Sequence, residues 1–189
     1  MISHLLVARW RGLLFWGGVL VWLSAMAGTG RAAEADAIAA ELVESTGSVE
    51  LSRDAGAWTA AAPGSVLRPG SRLRTAADSR ATVRLHDLSL VRIRERTLVE
   101  FRKPEAAGAR RLLMLRSGSA FFLNRAGPSE IEFETPLANG AIRGTEFLLT
   151  VDDTDGSTLL ALFDGAVDLT VAGERLQLEK GQQMVLNPG

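Results

Sequence analysis

Several groupings in the sequence have residue types and spacings that could do chemistry. Glu130, Glu132 and Glu134 alternate along one segment, so on a strand they share a face. Paired carboxylates hydrolyse glycosides by flanking a sugar from opposite sides, which neighbours on one strand do not do. The run Asp152-Asp-Thr-Asp155-Gly156 has the texture of a calcium loop, with acids at alternating positions ahead of a Gly. An EF-hand register would put ligands at Val151 and Leu162, whose side chains carry no oxygen, so a polar turn between two strands is expected instead.

The chain has two histidines, His4 and His86, and no cysteine. Cysteine's absence rules out a disulfide framework, a thiolate nucleophile, Cys-ligated zinc and a lipidated N-terminal Cys. His4 falls in an exported leader described below, so any Ser-His-Asp arrangement would have to use His86. His86 alternates outward beside Arg84 and is expected at the surface. No catalytic residue, metal ligand or cofactor site is expected.

The net charge is near zero, but the charges are segregated. Residues 68–116 hold thirteen Arg and Lys against five acids, and residues 130–180 hold eleven acids against three bases. Arg84, Arg92 and Arg94 are expected to project from one side of adjacent short strands, with Arg72, Arg74, Arg102 and Lys103 nearby. Such a stripe attracts polyanions, which outside the cytoplasm means acidic glycans, lipid headgroups or acidic protein surfaces. The alternative is a solvated face balanced by the acidic C-terminal half. Nucleic acid is disfavoured by compartment and by the scarcity of aromatics for base stacking.

The elements that must position these residues are strands. Apolar residues recur at period two, with Gly, Pro, Asp and Ser clusters every eight to twelve residues. Segments 81–86, 91–94 and 99–102 show it most clearly, and 112–115, 120–123, 131–134, 147–151, 159–163, 167–171 and 184–186 continue it. Gly47, Gly64, Gly70, Gly118 and Gly165 are expected at turns with positive φ. The only helix allowed for in the exported part is a short one over Asp36 to Glu44.

Arg9 and Arg11 precede an apolar run from Leu13 that ends in Ala25-Met26-Ala27. That is the layout of a secretory signal, with the cut expected after Ala27. The alternative is an uncleaved anchor, since about 15 to 17 apolar residues lies just below a comfortable span. The chain is therefore expected outside the cytoplasm, released after the cut or anchored in the membrane if the cut is not made. Membrane contact is expected only if the segment is uncleaved.

Trp58 with Gly64-Ser-Val-Leu-Arg-Pro-Gly70-Ser-Arg-Leu-Arg-Thr75, then Ala81-Thr-Val-Arg-Leu85, resembles the front half of the FecR domain family. Thr135-Pro136, Ile142-Arg143-Gly144-Thr145-Glu-Phe147, Thr158-Leu-Leu-Ala-Leu-Phe-Asp-Gly165-Ala-Val167 and Leu178-Glu-Lys-Gly181-Gln182 resemble its back half. The resemblance runs from Val43 to Leu186 and implies an all-β domain, β-helix-like or sandwich-like, wound from many short strands in the periplasm. The expected boundaries are a signal segment at 1–27, a lead-in at 28–42 and the domain at 43–187. One departure is Asp87-Leu88-Ser89, where the family usually has Asp-Gly-Ser. That turn must avoid a left-handed central residue or tolerate strain.

Arg143, Gly144 and Thr145 matter most to the resemblance. A Gly there lets the backbone bend, and the guanidinium is either an internal clamp or a ligand contact. Relay members of the family carry a cytoplasmic anti-sigma segment and a receptor-contacting domain. About a dozen residues precede the apolar run, and the chain stops at Gly189, so neither end of that relay is expected here. The resemblance then implies a non-enzymatic periplasmic binding or scaffold module for an envelope protein or acidic glycan. The alternative is a membrane-tethered sensor acting through a separate regulator. Oligomeric state is left open.

Overall fold

A computed structural model describes residues 39–103, 111–124 and 128–189, with the side chains of 111–112, 128–131 and 142–144 outside the description. The signal segment and most of the lead-in therefore lie outside the described residues. The fold is all-β, with no helix among the described residues. Its strands are β1 (Ala40–Thr46), β2 (Val49–Ser52), β3 (Trp58–Ala60), β4 (Val66–Leu67), β5 (Arg72–Thr75), β6 (Arg80–Leu85) and β7 (Leu90–Ile93). They continue as β8 (Leu98–Phe101), β9 (Arg111–Leu123), β10 (Pro128–Glu134), β11 (Ala138–Val151), β12 (Thr158–Val171), β13 (Glu174–Glu179) and β14 (Gln183–Leu186). β1 starts inside the expected lead-in, and it is a strand where the sequence allows a short helix. It begins there because Ala40 and Leu42 fall on the core face and are fully buried.

Backbone pairing joins these strands into one sheet that folds over into two layers. Layer one runs β4, β1, β6, β7, the second half of β9, the second half of β11, the first half of β12, and β14. Layer two runs β3, β2, β5, β8, the first half of β9, β10, the first half of β11, the second half of β12, and β13. The chain alternates between the layers as it proceeds, which is how short strands come to be wound around one core.

Three strands belong to both layers, and this differs from the sequence expectation. Segments 112–115 and 120–123 are one strand, as are 159–163 and 167–171, because Gly118 and Gly165 bend the chain without reversing it. Both have positive φ, 88° and 85°, a region where a Cβ is strained. In β11 the corresponding bend is a register shift between Arg143 and Glu146.

Among the described residues the layers meet through one apolar cluster. The Phe122 and Phe147 rings of layer one stack at 4.4 Å, and Phe133 of layer two tilts against them at 6.5 and 5.3 Å. Strands that change layer leave their ladder partners at the corner, and buried N–H groups there need acceptors. A row of hydroxyls supplies them. Ser48 N donates to Ser79 Oγ (2.9 Å), Thr97 N to Thr75 Oγ1 (3.1 Å), and Ser119 N to Thr97 Oγ1 (3.0 Å). Farther along, the Ser119 and Thr150 hydroxyls lie 3.0 Å apart.

Candidate binding face

On β6 and β7 the alternation buries Ala81, Val83, Leu85, Val91 and Ile93, and turns Arg80, Thr82, Arg84, Leu90, Arg92 and Arg94 outward. Thr82 is opposite Arg92 and Arg84 is opposite Leu90, so Arg92 lies diagonally between Arg80 and Arg84. The structure thus places Arg84, Arg92 and Arg94 on one face of layer one. It does not bring Arg72, Arg74, Arg102 and Lys103 to them, because the chain crosses to the other layer between β5 and β6 and again between β7 and β8. Arg72 and Arg74 stack over Trp58, at 5.2 and 4.2 Å from its ring centroid. Arg102 pairs with Glu134 at 2.9 Å and Lys103 with Asp54 at 2.8 Å.

The three expected guanidiniums are not equivalent. Arg84 is held by Glu41 on β1 at 2.6 Å. Arg92 and Arg94 make no ion pair among the described residues, and neither does Arg80, which the sequence expectation left out. These three line an open groove of about 800 Å³ on the outer face of layer one. Glu44, Asp78 and Glu95 share its rim, and Phe121 and Leu148 contribute to its lining. Glu95 accepts a hydrogen bond from Asp78 N at 2.8 Å, and Glu44 accepts one from Thr82 Oγ1 at 3.4 Å.

The groove continues into an apolar strip. Arg92 is opposite Phe121, Phe121 opposite Leu148, and Leu148 opposite Ala161. Phe163 tilts against Phe121 at 5.7 Å and is 52% exposed. The segments around 120–123 and 147–151 are apolar on both faces, so period two carried no signal that Phe121 and Leu148 face outward. A strand apolar on both faces in a two-layer fold has one face without a layer over it, and that is the cue the sequence held.

Arg143 occupies the last layer-two position of β11, opposite Ala166, and its side chain lies outside the described residues along with Gly144. Thr145 follows at the bend, fully buried. Its carbonyl accepts from Asn124 N at 3.0 Å, while its Oγ1 has no hydrogen-bond partner among the described residues.

The acidic groupings have local uses. Asp152 Oδ1 accepts from Thr154 N at 2.7 Å, and Asp155 Oδ1 from Ser157 N at 2.7 Å, closing a turn between β11 and β12. The Thr154 N–H, followed by that of Asp155, holds the Asp152 carboxyl below its ordinary range. Among the described residues no group of three or more His, Cys, Asp or Glu is arranged to hold a metal ion. Glu132 and Glu134 lie on β10 as same-face neighbours, Glu130 has its side chain outside the description, and His86 is exposed at the β6–β7 turn.

Two crystal structures of a proposed anti-sigma factor from Parabacteroides distasonis ATCC 8503, at 1.65 and 2.50 Å resolution, share the fold with a TM-score of 0.53 at 19% identity. The alignment covers 61% of this chain and 54% of theirs, so the chain spans about half the length of the structures it matches. No curated protein matches the sequence. The family model described as FecR protein matches residues 71–168, just over half the chain and a narrower span than the resemblance over Val43 to Leu186. That span holds β5 to β11, most of β12 and every lining residue of the groove except Glu44, and by this match the chain belongs to the FecR family.

Proposed function

We propose that this chain is a non-enzymatic binding module of envelope signal transduction, acting in the periplasm and engaging an envelope protein or acidic glycan through the outer face of layer one. The observation that carries it is the set Arg80, Arg92 and Arg94, without ion pairs among the described residues and lining one groove. Surface guanidiniums gain little from isolated pairing, but a cofacial set attracts an anionic partner and orients its approach. Membership of the FecR family supports a sensing role. Immobilised wild-type domain and a triple Arg80→Ser, Arg92→Ser, Arg94→Ser variant, each challenged with envelope extract, test it. Retention of the same component by both, or by neither at low salt, refutes this surface.

A second reading is a membrane-tethered sensor that passes its signal to a separate regulator. The apolar run from Leu13 to Ala27 favours it, if that run stays attached. Fractionation with N-terminal sequencing separates the two. A mature terminus at Gly28 in the soluble periplasm excludes the tether, and an intact terminus in the membrane fraction establishes it.

A further inference from the structure

Resting on the binding surface proposed above, we infer that the groove is built for an extended segment of a partner polypeptide with spaced acidic residues and apolar side chains between them. The first ground is the charge pattern. Arg80, Arg92 and Arg94 share the groove with Glu44, Asp78 and Glu95. A polymer with one negative charge on every unit would set some charges against those three carboxylates, and like charges in contact cost several kcal/mol across an interface, by order of magnitude. A polypeptide can place acids only opposite the guanidiniums and neutral side chains opposite the acids.

The second ground is the strip beside the cations. Phe121 lies opposite Arg92, and Phe163, half exposed, packs on it with the ring planes 51° apart. Exposed apolar surface continuous with a charged groove is what a polypeptide interface uses as its anchor, with charges at the rim. A polypeptide can set neutral apolar side chains on this strip between its acids, whereas a polymer charged on every unit brings a charge to each position along it. An extended segment laid across β7, β9 and β11 turns every second side chain toward this face, so acidic and apolar side chains can take turns along the side that meets it.

The test uses the full chain with two probes, a capped synthetic peptide of repeating Glu-Ser-Leu-Ser-Glu-Ser-Phe-Ser, whose one face alternates Glu with Leu and Phe, and polygalacturonate as a uniformly charged polymer. Calorimetric titration at physiological salt is expected to show the peptide binding at least ~10-fold tighter than polygalacturonate per site. Arg92→Ser and Phe163→Ser are each expected to weaken the peptide by ~10-fold or more, the range of an interface anchor. Phe163 is exposed enough that its replacement leaves the fold intact, which an unchanged melting temperature verifies. Phe121→Ser serves as a second apolar variant. Polygalacturonate binding as tightly as the peptide, lost on Arg92→Ser, overturns this inference and leaves the binding surface standing. Peptide affinity unchanged by both Phe variants also overturns it. Binding of neither probe refutes both.

Discussion

A Cβ on Gly118 would lie 2.3 Å from Thr97 Oγ1 and 2.6 Å from Arg96 O, closer than side-chain atoms approach. The contact exists because β9 changes layer at Gly118 while the chain from β7 to β8 changes layer beside it. Two crossings share one corner, and the Thr97 hydroxyl ties them by accepting from Ser119 N.

Gly118→Ala therefore combines a left-handed backbone with a steric conflict. Left-handed strain costs about 1 kcal/mol and overpacking about 1–3 kcal/mol, giving a loss on the order of 3 kcal/mol in urea unfolding. Gly173 has a similar φ of 86° but nothing near its Cβ position, so Gly173→Ala is expected to lose only about 1 kcal/mol. Equal losses at the two sites would show that the corner is not tightly packed.

Thr97→Val keeps the shape and removes the acceptor for a corner N–H. An unsatisfied buried donor costs about 1–3 kcal/mol, and denaturant unfolding should register a loss in that range. Thr82→Val, on the outer face of β6, is the comparison and should change stability by less than about 0.5 kcal/mol.

The Asp87-Leu88-Ser89 turn tolerates strain rather than avoiding it. Leu88 has φ 66° and is 71% exposed, following a turn in which its N–H donates to Leu85 O at 3.0 Å. Asp87 braces it by accepting from Ser89 N at 3.0 Å. Leu88→Gly removes a left-handed penalty of about 1–2 kcal/mol without losing buried contact, offset in part by the freedom Gly adds to the unfolded chain, and is expected to raise stability by about 0.5–1 kcal/mol. A melting temperature that falls instead would show that Leu88 packs on something.

The Asp152 turn gives a pH dependence with a fixed sign. Its folded pKa lies below 3.8, the ordinary value, so the unfolded chain takes up the proton first as pH falls. Its stabilising contribution is present above that ordinary value and is lost as pH falls through the lowered one. The stability gap between wild type and Asp152→Ala should therefore be widest near neutral pH and close in strong acid. A gap independent of pH would contradict the carboxylate's role in the turn.

How much of this was legible in the sequence follows from what period two encodes. β6 and β7 alternate cleanly, so the outward Arg84, Arg92 and Arg94 could be read directly. Alternation says nothing about which layer a strand joins, so Arg72 and Arg74, on equally clean β5, were expected nearby and sit in the other layer. A Gly between two alternating runs looks the same whether the chain reverses or bends, which hid the continuity of β9 and β12. Arg80 was missed because it opens β6 just before the recognisable alternation. Arg84 gave no sign that Glu41, far back in the chain, would neutralise it.

That difference among the arginines leads to the most direct measurement. Backbone amide chemical shifts of the labelled domain are recorded during titration with the binding partner recovered from envelope extract, for wild type, Arg84→Ser and Arg92→Ser. The expected perturbations follow β6, β7 and the layer-one half of β9, with affinity reduced ~10-fold or more by Arg92→Ser and little changed by Arg84→Ser. Perturbations centred on Trp58, Arg72 and Arg74 in layer two, with both variants binding as wild type, would contradict the account.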